Sequence, residues 1–171
     1  MKTKMLIFVF LLGITDLFAQ TLYVPGTIVK GKNASYYCSS ENEIFIKVNN
    51  VNNVDTTTTM YYDDGTVVPF DVGSAVIATK TEDLVRVFQE ALTQEEIDIL
   101  KSKITYLLQL DIVADKQGNT LEITFSFRSN DPVMTKFDPD RLYQLEQNLK
   151  KVLKLNPSKA DSSIKNTSYS L

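Results

Sequence analysis

Six aspartates fall in three close pairs, Asp63 with Asp64, Asp111 with Asp115 and Asp138 with Asp140, and these are the chain's clearest resource for chemistry. Two carboxyl groups held roughly 5–9 Å apart in a cleft can act as general acid and base, or as acid and nucleophile, on a glycosidic bond. Each pair also has an architectural reason to be where it is. Asp63-Asp64 precedes Gly65 in a turn, Asp111 sits on the polar side of an alternating strand, and Asp138 and Asp140 flank a Pro at a helix start. No histidine occurs in the 171 residues, so the usual Ser-His-Asp and Cys-His hydrolases and His-ligated zinc sites are excluded. Catalysis would have to rest on carboxylates, Tyr or Lys.

Other reactive patterns read the same way. Asp115, Gln117 and Asn119 alternate like calcium ligands, but Lys116 intrudes and Glu122 arrives too early for the twelve-residue loop, which leaves a hairpin turn. The glycines are scattered and form no phosphate-cradling loop, so the expectation is no cofactor and no metal. Cys38 is the single cysteine and reads as a small buried strand residue. Tyr36-Tyr37 and Tyr61-Tyr62 each put an aromatic on both sides of a strand, one for a core and one for cross-strand pairing or a partner. Trp is absent, which weakens a sugar-platform reading. Asp55-Thr56-Thr57 is similar to the Asp-Thr-Thr pattern O-glycosylated in exported proteins of some anaerobic Gram-negative bacteria, which would place sugar on Thr56; a Thr-rich strand start is the plainer account. The sequons at Asn33 and Asn166 would carry sugar only in a eukaryotic secretory route.

The address is plainer than the chemistry. Lys2 and Lys4 precede the apolar run from Met5 to Leu12, and Ala19 closes the segment, the three-part layout of a secretory leader. The run is shorter than the ~20 residues of a spanning helix. Cleavage between Ala19 and Gln20 is expected, although Leu17 is larger than usual at its position. Residues 1–19 are therefore the removed signal peptide, with no stable membrane insertion afterwards and a destination in the periplasm or outside the cell. A formal charge of −3 with no basic stretch argues against nucleic acid and anionic membranes as partners.

The positioning elements follow from pattern. Residues 20–78 are rich in Thr, Val, Tyr and Asn between turn formers and read as antiparallel strands near Thr27–Lys30, Ala34–Ser39, Glu43–Val48, Thr57–Tyr62 and Thr66–Phe70, with Pro69 marking the last as an edge. A short strand at Gly73–Ala78 leads to helices capped by Thr81 and Thr93, the latter with Glu96 at capping-box spacing. Between Thr105 and Arg128, Tyr106, Leu108, Leu110, Ile112 and Ala114, then Leu121, Ile123, Phe125 and Phe127, alternate with polar neighbours and predict a β-hairpin with one buried face. Asp138 and Pro139 start a final helix striped by Leu142, Leu145, Leu149, Val152 and Leu153. The expectation is one α+β domain over 20–156, β-rich over 20–78 and α/β-hairpin/α over 79–156, with its C-terminal helix packed on the sheet. Residues 157–171, rich in Ser, Lys and Asn, read as a disordered tail.

Residues 107–157, with a strand, Asp115-Lys116-Gln117-Gly118-Asn119, a second strand and a Pro-started helix ending at Leu155-Asn156-Pro157, resemble the C-terminal domain of TonB-type periplasmic proteins. That resemblance implies an α+β fold whose sheet edge adds a partner strand; here no strand is read after Pro157. Tyr36-Tyr37-Cys38 and Tyr61-Tyr62-Asp63-Asp64-Gly65 look like a group of small exported bacterial proteins that form a domain of unknown function, which implies provenance and no activity. The reading is a non-enzymatic binding or interaction module of the bacterial cell envelope, partnered by an unknown protein or glycan, with edge addition at Thr66–Phe70. The alternatives are a carboxylate-dependent glycan hydrolase and a small-ligand carrier that cups its ligand in the apolar face of the hairpin.

Overall fold

The computed structural model of the chain describes residues 21–40, 42–54, 62, 64–67, 76–102, 108–156 and 166–170. The described strands include the alternating hairpin, where apolar residues at every second position face inward. The strands are β1 (Ile28–Lys30), β2 (Ser35–Ser40), β3 (Phe45–Asn50), β4 (Val76–Ile77), β5 (Leu108–Asp115), β6 (Thr120–Arg128), β7 (Leu155–Asn156) and β8 (Asn166–Ser170). All pairings are antiparallel. The main sheet has the order β1-β2-β3-β6-β5-β8, and β4 with β7 makes a small second sheet. Among the described residues three helices complete the α+β fold: α1 (Thr81–Ala91), α2 (Gln94–Lys101) and α3 (Pro139–Val152).

Helix α3 lies on the sheet because Leu142, Leu145, Glu146 and Leu149 share one face at i, i+3, i+4 and i+7 spacing and are all buried. Its start is the expected one: Asp138 accepts from the N–H groups of Asp140 and Arg141, and Pro139 takes the first turn. Beneath it lie Cys38, Ile46, Val48, Ile112, Ile123, Phe125 and Phe127, all buried. Tyr36 points into this core and Tyr37 away from it, as the doubled tyrosines suggest. Tyr23 joins it with its ring edge-on to Phe127 at 5.6 Å and its hydroxyl donating to Phe137 O at 2.8 Å.

Four expectations need correction. The tail is not wholly disordered: residues 166–170 form β8 on the free side of β5, from Asp111 opposite Ser170 to Asp115 opposite Asn166. An edge strand is held by backbone hydrogen bonds, so a polar composition does not forbid it. Leu121 leaves the inward row, because two residues of β6 are spent against one step of β5 between Val113 and Ala114; this bulge turns Leu121 outward and Thr120 inward. Lys80, not Thr81, is the N-cap of α1, and it makes no side-chain cap bond. The strand expected to end at Val48 runs on through Asn49 and Asn50, and begins at Phe45 rather than Glu43. Residues 57–61 and 68–70 of the expected Thr57–Tyr62 and Thr66–Phe70 strands lie outside the described residues.

Candidate functional site

The described members of the carboxylate pairs are occupied with architecture. Asp64 accepts from both the N–H and the hydroxyl of Thr66, which lowers its pKa, while Asp63 lies outside the described residues. Asp111 pairs with Lys47 at 3.1 Å. Asp115 Oδ1 accepts from the N–H groups of Gln117 and Asn119, and its Oδ2 from the Asn119 amide, so the loop that looked like a calcium site folds its donors onto its own acid. Asp138 caps α3. Asp140 accepts from the N–H groups of Lys32 and Asn33 and holds the turn after β1; a Cβ on Gly31 would meet its Oδ1 at 2.7 Å. Among the described residues no group of three or more Cys, Asp or Glu side chains is arranged to hold a metal. The Ala19/Gln20 cleavage point and Thr56 lie outside the described residues.

Two further carboxylates organise the helices: Glu146, which pattern reading passes over, and Glu96, whose grip on α3 it does not foresee. Glu146 is fully buried under the sheet; its Oε2 accepts from Tyr36 at 2.9 Å and Asn50 at 3.0 Å, and its Oε1 lies 2.6 Å from Lys150 Nζ without well-aligned hydrogen-bond geometry. Burial and this anionic neighbour push the Tyr36 hydroxyl pKa far up, so it stays a donor. Glu96 closes the expected capping box with Thr93 and also grips Arg141 of α3 through both oxygens, at 2.9 and 2.7 Å. The hydrogen bonds from Arg141 hold its pKa down at about 2. Arg141 in addition donates to Ala91 O and lies 4.4 Å over the Phe137 ring, so one side chain pins the α1–α2 corner to α3.

That corner is pinned but not filled. Only Val87 of α1 is buried, and no residue of α2 is. Between the helix pair and the rest of the fold lies a partly open cleft of about 420 Å³. Leu84, Phe88 and Leu92 of α1 and Leu100 of α2 wall one side; Leu108 and Leu110 of β5, with Leu145 of α3, wall the other. Ile77, Met134 and Leu153 complete the apolar lining, and Asp131 is the only polar residue among the described residues that line it. The volume lies inside the ~300–1,000 Å³ typical of small-molecule sites. A second groove of about 420 Å³, which shares Leu84, Phe88, Leu92 and Leu100 with the first, runs between α1 and α2. Only part of the hairpin's apolar face is available to a ligand. Leu108 and Leu110 reach the cleft, whereas Ile112, Ile123, Phe125 and Phe127 are covered in the core.

The antiparallel six-stranded sheet, the crossing α3 and the helix pair before β5 together make an architecture that can be compared with solved proteins. The fold is similar to that of a DUF5043 family protein from Bacteroides uniformis ATCC 8492. The crystal structure of that protein matches with a TM-score of 0.71 and 17% sequence identity, over 90% of this chain and 87% of the other. At that identity the likeness shows the fold alone. No family model matches the sequence, and no curated protein matches it either. The TonB-like reading of residues 107–157 therefore gains no support, although a strand does follow the helix. Among the described residues, no helix is long and apolar enough to cross a membrane.

Proposed function

We propose that the chain is an exported binding protein without chemistry of its own, holding a small apolar molecule in the cleft between the helix pair and the sheet. One observation carries the reading: about 420 Å³ of space walled almost entirely by leucine, phenylalanine, isoleucine and methionine. Well-packed interiors contain few voids larger than a water molecule, and a dry apolar cavity is a place where burial of ligand surface is favourable at ~25 cal/mol per Å². The candidate carboxylates among the described residues are committed to turns, caps and ion pairs, which leaves the hydrolase reading without a site among those residues. Export rests on residues 1–19, with removal between Ala19 and Gln20, and Thr56 is the candidate glycan acceptor. Mass spectrometry of protein from the periplasmic fraction reads both, and an intact leader on all of it would overturn export.

The binding test is a thermal-shift screen of the purified protein with lipids and other apolar small molecules, since a ligand of the native state raises the midpoint. Leu100→Trp, at a half-buried wall position, should fill the cleft and abolish the shift. A shift that survives in that variant would place the ligand elsewhere.

A second reading, capture of an envelope protein or glycan, is favoured by the β1 edge. There β1 ends the sheet with Val24, Ile28 and neighbouring Tyr37 exposed. Free strand edges recruit partner strands through backbone hydrogen bonds. Ile28→Lys should reduce pull-down of a partner from envelope extract, and unchanged capture would exclude this edge.

A further inference from the structure

The groove between α1 and α2 has one charged residue among the described residues that line it, Lys101 in the last turn of α2. That lysine is exposed and forms no ion pair among the described residues. Acids of the same two helices are engaged elsewhere. Asp83 pairs with Arg86, Glu96 pairs with Arg141, Asp98 accepts from Gln94, and none of the three lines the groove. A cation in the last turn complements the helix dipole, which accounts for a lysine at this position. The dipole does not account for its surroundings. A lysine stem lies along apolar surface while its ammonium stays in water, so the charge stands where the apolar wall meets solvent. Leu84, Phe88, Leu92 and Leu100, each half-buried, belong to the lining of both the cleft and the groove, and they carry the apolar surface of the cleft toward Lys101.

Resting on the binding-protein reading above, we infer that the occupant is a single-chain amphiphile with an anionic head, its hydrocarbon along Leu84, Phe88, Leu92 and Leu100 and its head beside Lys101. Burial of the hydrocarbon supplies the affinity and is indifferent to the head. Charge complementarity sets the preference. An ammonium is a compact point charge that attracts an anion, gains less from a neutral hydroxyl and repels a second cation. Because the contact lies at the surface, it ranks ligands that the apolar wall already holds, and salt weakens it.

Decanoate, decanol and decylamine, titrated calorimetrically into the protein at neutral pH and below their micelle concentrations, vary the head on one chain length. Decanoate should bind tightest, decanol roughly three- to fivefold more weakly and decylamine weakest, the spacing of one exposed charge pair. Added salt should narrow that spacing. Lys101→Met keeps an apolar stem on the wall and drops the charge, so decanoate affinity should fall to that of decanol while decanol binds as before. Lys101→Glu should reverse the order of the two charged heads. Neither variant removes a buried group, since Lys101 is exposed. Equal affinities for the three, decylamine binding tightest to the unaltered protein, or a decanoate preference that survives Lys101→Glu would overturn the anionic-head inference and leave the carrier reading standing. No binding of any of the three would sink both.

Discussion

The two sides of α3 differ in how they are filled. Toward the sheet, Leu142, Leu145, Glu146 and Leu149 are all buried, and the one polar residue among them, Glu146, is held by Tyr36, Asn50 and Lys150. Toward α1 and α2, the contact is a pin, Arg141 on Glu96 and Ala91, beside a cleft that the leucines of the helix pair line without filling. The contrast separates two tasks within one core: the sheet side specifies the fold, and the helix-pair side tolerates space. Binding elements are drawn from the less stable parts of a structure because a ligand needs room and some local give.

If that division is right, removing a group from the filled side must cost far more than removing one from the open side. Glu146→Ala should have the largest effect, about 4 kcal/mol by urea unfolding, because it leaves the buried Tyr36 hydroxyl and Asn50 amide without their acceptor and opens a cavity in the packed side. Leu149→Ala follows at about 3 kcal/mol, the range for an aliphatic side chain deleted from a packed core. Leu100→Ala should cost no more than about 1 kcal/mol, since its neighbours already face a space and little new cavity is made. Comparable losses at Leu149 and Leu100 would mean the two sides are equally packed and would remove the basis for a ligand cleft.

The filled side was also the legible one. Alternation between Thr105 and Arg128 and the leucine stripe of α3 are periodic signals, and periodicity reports burial directly. The capping box of Thr93 and Glu96 and the Asp138-Pro139 start are local chemistry and equally readable. Glu146 was hidden because its type argues for solvent, although its place between Leu142 and Leu149 on the apolar face was available as a sign of burial. Leu121 was misassigned because a bulge resets the period, and β8 because backbone pairing leaves little trace in a polar tail. The cleft has no sequence signature. Leu84, Phe88, Leu92 and Leu100 look the same in a stripe whether their face is packed or left short of contact, and only the placement of the helix pair decides between them. Asp131, a turn former before Pro132, likewise gives no hint of the cavity it borders.

The pin between the two sides makes a pH prediction of about 1 kcal/mol, the scale of a partly exposed bidentate pair. In the folded chain the Glu96 pKa is about 2, against an ordinary value of 4.5. The native state thus binds fewer protons than the unfolded one between these values, so stability rises with pH across that interval. The contribution is complete above about pH 4.5 and lost as the pH falls toward 2. Glu96→Gln keeps the capping-box geometry and drops the charge. The gap in urea midpoint between it and the unaltered protein should therefore be constant at neutral pH and close below pH 4; a gap that persists at pH 2.5 would assign the effect to something other than the ion pair.

The smallest change sharpens the comparison by kinetics, with no stability effect required. Cys38 lies fully buried in β2 under α3, and burial pushes its thiol pKa up to about 11. Both facts withhold the thiolate, so alkylation at pH 8 has to wait for the sheet side to open. A cysteine placed in the helix pair by Leu100→Cys, in a chain also carrying Cys38→Ala, faces the cleft and needs only local motion to react. The native protein should label at Cys38 at a rate set by global unfolding, accelerating with urea in step with the loss of structure, while the cleft cysteine labels fast and with little urea dependence until the main transition. Saturating the cleft with an apolar ligand should slow the second rate and leave the first governed by global stability. If Cys38 reacts as readily as the cleft cysteine in the absence of urea, the sheet side opens locally too, and the division of labour drawn from packing would not extend to motion.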